Sequence, residues 1–179
     1  KMIQREGIGD LLADGSRLAA ARIGRGSLAY AVQSGGQELA MHDSRNDPGF
    51  ALHAVVEATP GRHTLGAYLY YEMFQLWTRV QSAPKVKPRF YPKGVKYTAT
   101  PEKAQWAAQC SRFSNLMNAA GLCMFGAFLG VQRIPIFEWL NAATGLEKTP
   151  EAYMRIGQDI QDLRQAFNLI HGAPARHAI

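Results

Sequence analysis

Apolar residues recur at steps of three and four through long stretches of this chain, and no series of strictly alternating apolar and polar residues is found. Leu11, Leu12, Gly15, Leu18, Ala19 and Arg22 share one helical face and predict a helix over 10–23, which Gly24 ends. Gly15 on that face predicts close packing against a neighbouring element, since glycine otherwise lowers helix propensity. Residues 28–32 predict a short extended piece. Gly35, Gly36, Asp43, Asn46, Asp47, Pro48 and Gly49 punctuate 33–49 as a loop. A short helix follows over 50–58. Pro60-Gly61 turns the chain into a helix over 65–78, rich in Tyr, Met, Phe and Trp.

The second half carries stronger signals. In Thr100-Pro101-Glu102 the threonine caps a helix, the proline suits its first turn, and the glutamate favours its dipole. That helix should run to about residue 119 and yield at Gly121. Thr149-Pro150-Glu151 repeats the signal. After it, Tyr153, Ile156, Ile160, Leu163, Phe167 and Ile170 form one apolar stripe on a polar helix, which predicts docking on other helices. Between the two lies a shorter helix over 136–143, closed by Thr144-Gly145. The expected fold is all-α and multihelical, without the internal repeat of a solenoid. Residues 1–65 read as a first unit of helix, loops and short helix. Residues 66–179 read as a helical C-terminal domain with a basic loop at 82–99.

Composition narrows the function classes. At 179 residues and 47% hydrophobic content the chain can build a real core. No run of uncharged apolar residues is long enough to span a bilayer, and the first ten residues lack the apolar stretch of a signal peptide. The net charge of +6 is concentrated in Lys85, Lys87, Arg89, Lys93 and Lys96. Pro84, Pro88 and Pro92 keep that segment irregular. The rest is near neutral, which argues against a polyanion-binding surface. Cys110 and Cys123 are too few for a disulfide framework and suit a reducing compartment, so the cytoplasm is the expected location. Taken alone, each cysteine reads as a small buried hydrophobe.

Several chemistries are excluded. The chain has no Walker-type phosphate loop, no glycine-rich turn after a strand, no nucleophile elbow, no histidine pair at i, i+4 and no Cys-x-x-Cys. What remains is Asn118-Ala119-Ala120-Gly121-Leu122-Cys123 at the end of a capped helix. Glycine there permits close approach of backbone to a bulky ligand, with a thiol just beyond. A plain helix cap with a buried cysteine is the simpler account of the same residues.

Other segments give this stretch a context. These are Gly7-Ile8-Gly9-Asp10-Leu11-Leu12-Ala13-Asp14-Gly15, Asp43-Ser44-Arg45 with Gly49-Phe50-Ala51-Leu52, Gly61-Arg62-His63, and Leu140-Asn141-Ala142-Ala143-Thr144-Gly145. Thr149-Pro150-Glu151, Arg155-Ile156-Gly157 and Phe167-Asn168-Leu169 follow in order. With them the chain resembles the tungsten-dependent aldehyde ferredoxin oxidoreductase family over nearly its whole length. The resemblance implies that Cys123 is the last ligand of a four-iron, four-sulfur cluster. It implies that Gly121 and Leu122 line the pterin of a tungsten-bispyranopterin cofactor, beside Asn118. Asn118 stands where the family has aspartate; an amide can still accept from a pterin N–H, without the charge that strengthens such a bond. The resemblance also offers His63 as the counterpart of the family's active-site histidine, and a surface-loop histidine accounts for that residue equally well.

A cubane cluster needs four protein ligands, and the family draws the other three from a cysteine group upstream. By this resemblance the chain is one piece of a larger enzyme that oxidises aldehydes and passes electrons to ferredoxin or another carrier subunit. Its partners are then the upstream domains of that enzyme, and alone it holds no cofactor and is inactive. Tungsten and molybdenum both suit such a site. Two other readings come from the residues themselves. Phe90, Tyr91 and Tyr97 among the basic residues suit a nucleic-acid-binding module, although a solvated or partner-facing loop is the plainer account. Asn118 suits an interaction module that has lost the redox chemistry.

Overall fold

A computed structural model describes residues 1–42, 44, 46–65, 71, 74–83, 85 and 97–176. Helices dominate it, as the periodicity requires: α1 (Ile8–Leu12), α2 (Ser16–Ile23), α3 (Pro48–Val56), α4 (Pro101–Ala119), α5 (Phe125–Phe128), α6 (Ile136–Thr144) and α7 (Pro150–Ile170). Short 3-10 turns lie at Ser27–Tyr30 and Leu76–Thr78. No helix among the described residues is long and apolar enough to cross a membrane.

The pair α4–α7 organises the molecule. Thr100 Oγ1 accepts from the Lys103 amide at 3.2 Å and Thr149 Oγ1 from the Ala152 amide at 3.3 Å, so both threonines cap as their sequence predicts. The helices approach most closely at Gly157, where a Cβ would fall inside the van der Waals envelope of the Arg112 carbonyl. Phe113, Leu116 and Met117 of α4, Tyr153 and Met154 of α7, and Ile136 and Phe137 of α6 fill one core with Tyr71, Leu76 and Val80. The ring of Tyr71 meets Phe113 edge-on at 5.5 Å, and Phe137 stacks on Tyr153 at 5.9 Å. Asn141 fixes the link from α6 to α7. Its Nδ2 donates to the Lys148 carbonyl at 3.0 Å, and its Oδ1 accepts from the Lys148 amide at 3.0 Å and the Tyr153 hydroxyl at 2.7 Å. Gly145 ends α6 in the left-handed conformation, φ 70°.

The first part departs from its sequence reading in four places. The helix expected over 10–23 is two helices, because Gly15 adopts φ 84°, which no helical turn accommodates. Gly15 meets the Glu38 side chain, and the Ser16 amide donates to Glu38 Oε1 at 2.6 Å, so a distant carboxylate caps α2. The extended piece expected over 28–32 is instead the 3-10 turn. Inside the expected loop, Gln33–Ser34 and Gln37–Glu38 pair antiparallel around Gly35-Gly36. The hairpin is tied down by Ser34, whose hydroxyl donates to the Ala54 carbonyl at 2.5 Å, and by Gln37, whose side-chain oxygen accepts from the Gly61 amide at 3.1 Å. The helix expected over 50–58 starts earlier, because Asp47 Oδ1 accepts from the Gly49 and Phe50 amides at 2.7 and 3.1 Å.

Of the helix expected over 65–78, residues 66–70, 72 and 73 lie outside the described residues. In the basic loop, so do Pro84 and residues 86–96; Lys85 and Tyr97 are exposed.

Candidate functional site

The Gly121-Leu122-Cys123 turn has a local cause. The Leu122 amide donates to the Met117 carbonyl at 3.0 Å and the Gly121 amide to the Asn118 carbonyl at 3.1 Å, with Gly121 at φ 76°. These are the two bonds of a Schellman cap, and Leu122 packs on the same core as Met117, the apolar contact that accompanies the motif. Gly121 and Leu122 thus have structural work of their own. A Cβ on Gly121 would meet nothing within 4 Å, so its backbone conformation is what requires glycine here.

The cap sends the next residue outward. Cys123 is a free, exposed cysteine, whereas Cys110 is 0% exposed in the core. The reading of each as a small buried hydrophobe therefore holds for Cys110 only. Asn118 sits half-buried one turn back, its Nδ2 donating to the Ser114 carbonyl at 2.7 Å, which leaves the amide oxygen as its acceptor. The turn thus brings Asn118, Gly121, Leu122 and Cys123 to one helix end. Among the described residues no group of three His, Cys, Asp or Glu side chains could hold a metal ion.

His63 belongs to a different neighbourhood. Its ring centroid lies 5.1 Å from that of His42 and 6.4 Å from that of Phe50, and His42 stacks on Phe50 at 4.7 Å, nearly parallel. These rings, with His53, Ala54 and Pro60, line a small cavity between the segment that follows the hairpin, α3 and the Pro60-Gly61 turn. Partial burial, and then the proximity of His42, push the His63 pKa below its ordinary value. His53, 5% exposed, is pushed down to about 4, chiefly by desolvation. Of the loop that resembled a family motif next to this cluster, Asp43 and Arg45 lie outside the described residues.

α7 clamps this cluster to the helix pair. Glu57, 2% exposed just after α3, pairs with Arg164 Nη1 at 2.6 Å. Arg164 also donates to Asn115 Oδ1 and Gln161 Oε1, both at 2.9 Å, and to Thr59 Oγ1 at 2.7 Å. Gln165 and Asn168 donate to the Val56 and Ala58 carbonyls at 2.5 and 2.6 Å. Sequence reading missed His42, His53 and the Glu57–Arg164 pair. The partners lie ten or more residues apart, and no local pattern announces them.

Comparison with known proteins supplies the remaining finding. The family model described as aldehyde ferredoxin oxidoreductase, domains 2 & 3, matches residues 1–178. The chain is 30% identical over 178 residues to the tungsten-containing aldehyde ferredoxin oxidoreductase of Pyrococcus furiosus, covering 98% of this chain and 26% of the relative. It is 28% identical over 173 residues to the protein of that name from Pyrococcus abyssi, and likewise to that of Thermococcus kodakarensis, covering 96% of this chain and 26% of each relative. The chain thus spans about a quarter of the length of the curated relatives it matches. No solved structure matches it significantly.

Proposed function

Because the chain belongs to the aldehyde ferredoxin oxidoreductase family, over the part described as its domains 2 and 3, we propose that it works as the helical region of a larger tungsten-dependent enzyme. In that enzyme an aldehyde is oxidised to its acid. The bound tungsten–pterin group and an iron–sulfur cluster would supply the chemistry: removal of two electrons from the aldehyde, with the added oxygen taken from water, and delivery of the electrons to ferredoxin or another carrier. We divide the chain near residue 65, with the histidine cluster in the first unit and the cysteine turn in the second.

The observation that carries this reading is Cys123. Its thiol is exposed and free immediately after a cap that anchors the preceding residues, a placement that suits a ligand offered to a group held elsewhere. One thiol can supply only one of the four ligands a cubane cluster needs. Cys110, the other cysteine of the chain, is buried in the core. The remaining ligands then come from another part of the polypeptide. Asn118, with its Nδ2 bound to the Ser114 carbonyl, keeps an amide oxygen that would suit a pterin N–H. His63, kept largely neutral at pH 7 by its surroundings, takes and returns a proton at a ring nitrogen.

The test is Cys123→Ala in the full-length enzyme produced with tungsten. The electron paramagnetic resonance signal of the cluster should be lost or changed in type. An unaltered signal with full iron content would remove Cys123 from the site.

A further inference from the structure

The histidine cluster contains a close pair of rings. His42 and His63 are both half-buried and line the same small cavity as Phe50. The His42 amide donates to the Ala40 carbonyl at 2.7 Å, and its ring lies on that of Phe50 at 4.7 Å, with the planes 5° apart. Phe50 is 5% exposed and belongs to the first turn of α3, where its amide donates to the Asp47 carboxylate. That stack gives the cavity a fixed side. His63, two residues after the Pro60-Gly61 turn, meets it at 5.1 Å from His42 and 6.4 Å from Phe50. Two imidazolium charges so close, in a partly buried place, repel strongly, whereas a single proton on either ring meets no such opposition. The pair therefore takes up its two protons in separate steps.

We propose that His42 is a positioning residue for His63: it fixes that ring at the edge of the cavity and, as a second imidazole 5.1 Å away, keeps the pair to at most one proton near neutral pH. The inference rests on the reading of His63 as the residue that takes and returns a proton, and it adds the reason why that acceptor stays available. Partial burial and the neighbouring ring act on His63 in the same direction. Around the pair, His53 is uncharged near pH 7 through burial, and Glu57 is matched by Arg164 at 2.6 Å. Asp47 is engaged in the cap of α3, and Arg62 is exposed. Asp43 and Arg45 lie outside the described residues.

Proton NMR titration of the histidine ring signals in the purified 179-residue chain tests it. His42→Phe keeps a ring on Phe50 but removes the second proton site, so the His63 midpoint should rise. His63→Phe should raise the His42 midpoint by the same amount, because coupling between two sites is reciprocal. A merely structural role would not give matched shifts in the two directions. In the full-length enzyme, the acid limb of kcat/KM should move to higher pH in His42→Phe by the shift seen in the NMR titration. If His42→Phe fails to fold, His42→Gln provides the same comparison. An unmoved His63 midpoint, or a shift in one direction only, would overturn the inference and leave the reading of His63 untouched. A moved midpoint with an unmoved acid limb would overturn the reading of His63 as the proton acceptor, and the positioning role with it.

Discussion

The α4–α7 pair and residues 1–38 bury their apolar residues to very different degrees. In the pair, Phe113, Leu116, Tyr153 and Met154 are sealed in a shared core, and the polar groups between the helices bond to one another. In the first region the buried residues are small: Gly9, Ala19, Ala20 and Ser34. Ile3, Ile8, Leu12, Leu18, Ile23, Leu28 and Val32 face solvent. What holds α1 to α2 is charge. Arg5 pairs with Asp14 at 2.5 Å and Arg22 with Asp10 at 2.7 Å, all of them exposed. Exposed pairs contribute little and are screened by salt. A run of apolar side chains beside them is the composition of a surface meant for cover. The last turns of α7 share the feature, with Leu163, Phe167 and Ile170 exposed, so the stripe predicted on that helix docks only through its first half. The difference teaches that one region is specified from within, while the other leaves most of its large apolar side chains outside any core among the described residues.

Breaking the clamp between α7 and the segment that follows α3 should have the largest effect. Arg164→Ala leaves the carboxylate of Glu57 buried without its cation, and removal of one member of a buried pair costs about 3–5 kcal/mol. Denaturant unfolding of the 179-residue chain should show that loss. Arg164→Met combined with Glu57→Leu should recover much of it, since a matched apolar pair is often no worse than the ions. A loss below 1 kcal/mol for Arg164→Ala would mean that α7 and the segment after α3 are not joined there.

The contrast also separates what could be read from the sequence. Thr100-Pro101-Glu102 and Thr149-Pro150-Glu151 act through bonds three residues away, so local pattern sufficed for α4 and α7. The Schellman cap at Gly121 is equally local, and its position was legible. Whether the thiol beyond it faces in or out depends on where Leu122 docks, which only the tertiary core decides. On sequence alone Gly15 is a packing glycine within one helix. Its partner is Glu38, a contact across 22 residues that lets α2 start afresh. The histidine cluster lies furthest from view, because His42, His53 and His63 meet only once the hairpin has been fastened to α3 by Ser34.

Acid should loosen the histidine cluster and residues 1–38 in different pH windows. The folded pKa of His53, about 4, lies below its ordinary value of 6.5, so the unfolded chain takes up the proton first. Its contribution is complete above about pH 6.5 and is lost as the pH falls towards 4, a change of about 2 kcal/mol between pH 7 and pH 5. His63 shifts in the same direction. Asp10 and Glu38, in the first region, are lowered from ordinary values of 3.8 and 4.5 by Arg22 and by the Ser16 amide respectively. Their contributions are present above those values and fade only at lower pH. Unfolding midpoints at pH 7 and pH 5 should therefore fall for the wild type and much less for His53→Leu. Equal slopes for the two would show that His53 is not the group that titrates.

The smallest effect should come from the exposed face itself, and its smallness is what makes it informative. Replacing Ile8, Leu18 and Ile23 by serine removes no core contact, so in the 179-residue chain each change should move stability by no more than about 0.5 kcal/mol. Solubility should rise as the patch is broken up. If the face is covered by other domains of a longer polypeptide, the same three substitutions there should cost several times more, because each then leaves a polar hydroxyl in an apolar contact. Denaturant unfolding of both forms reads the difference directly. Equal small costs in the two would leave the face a solvent surface, and a large cost in the 179-residue chain alone would mean that its helices already use these side chains to hold together.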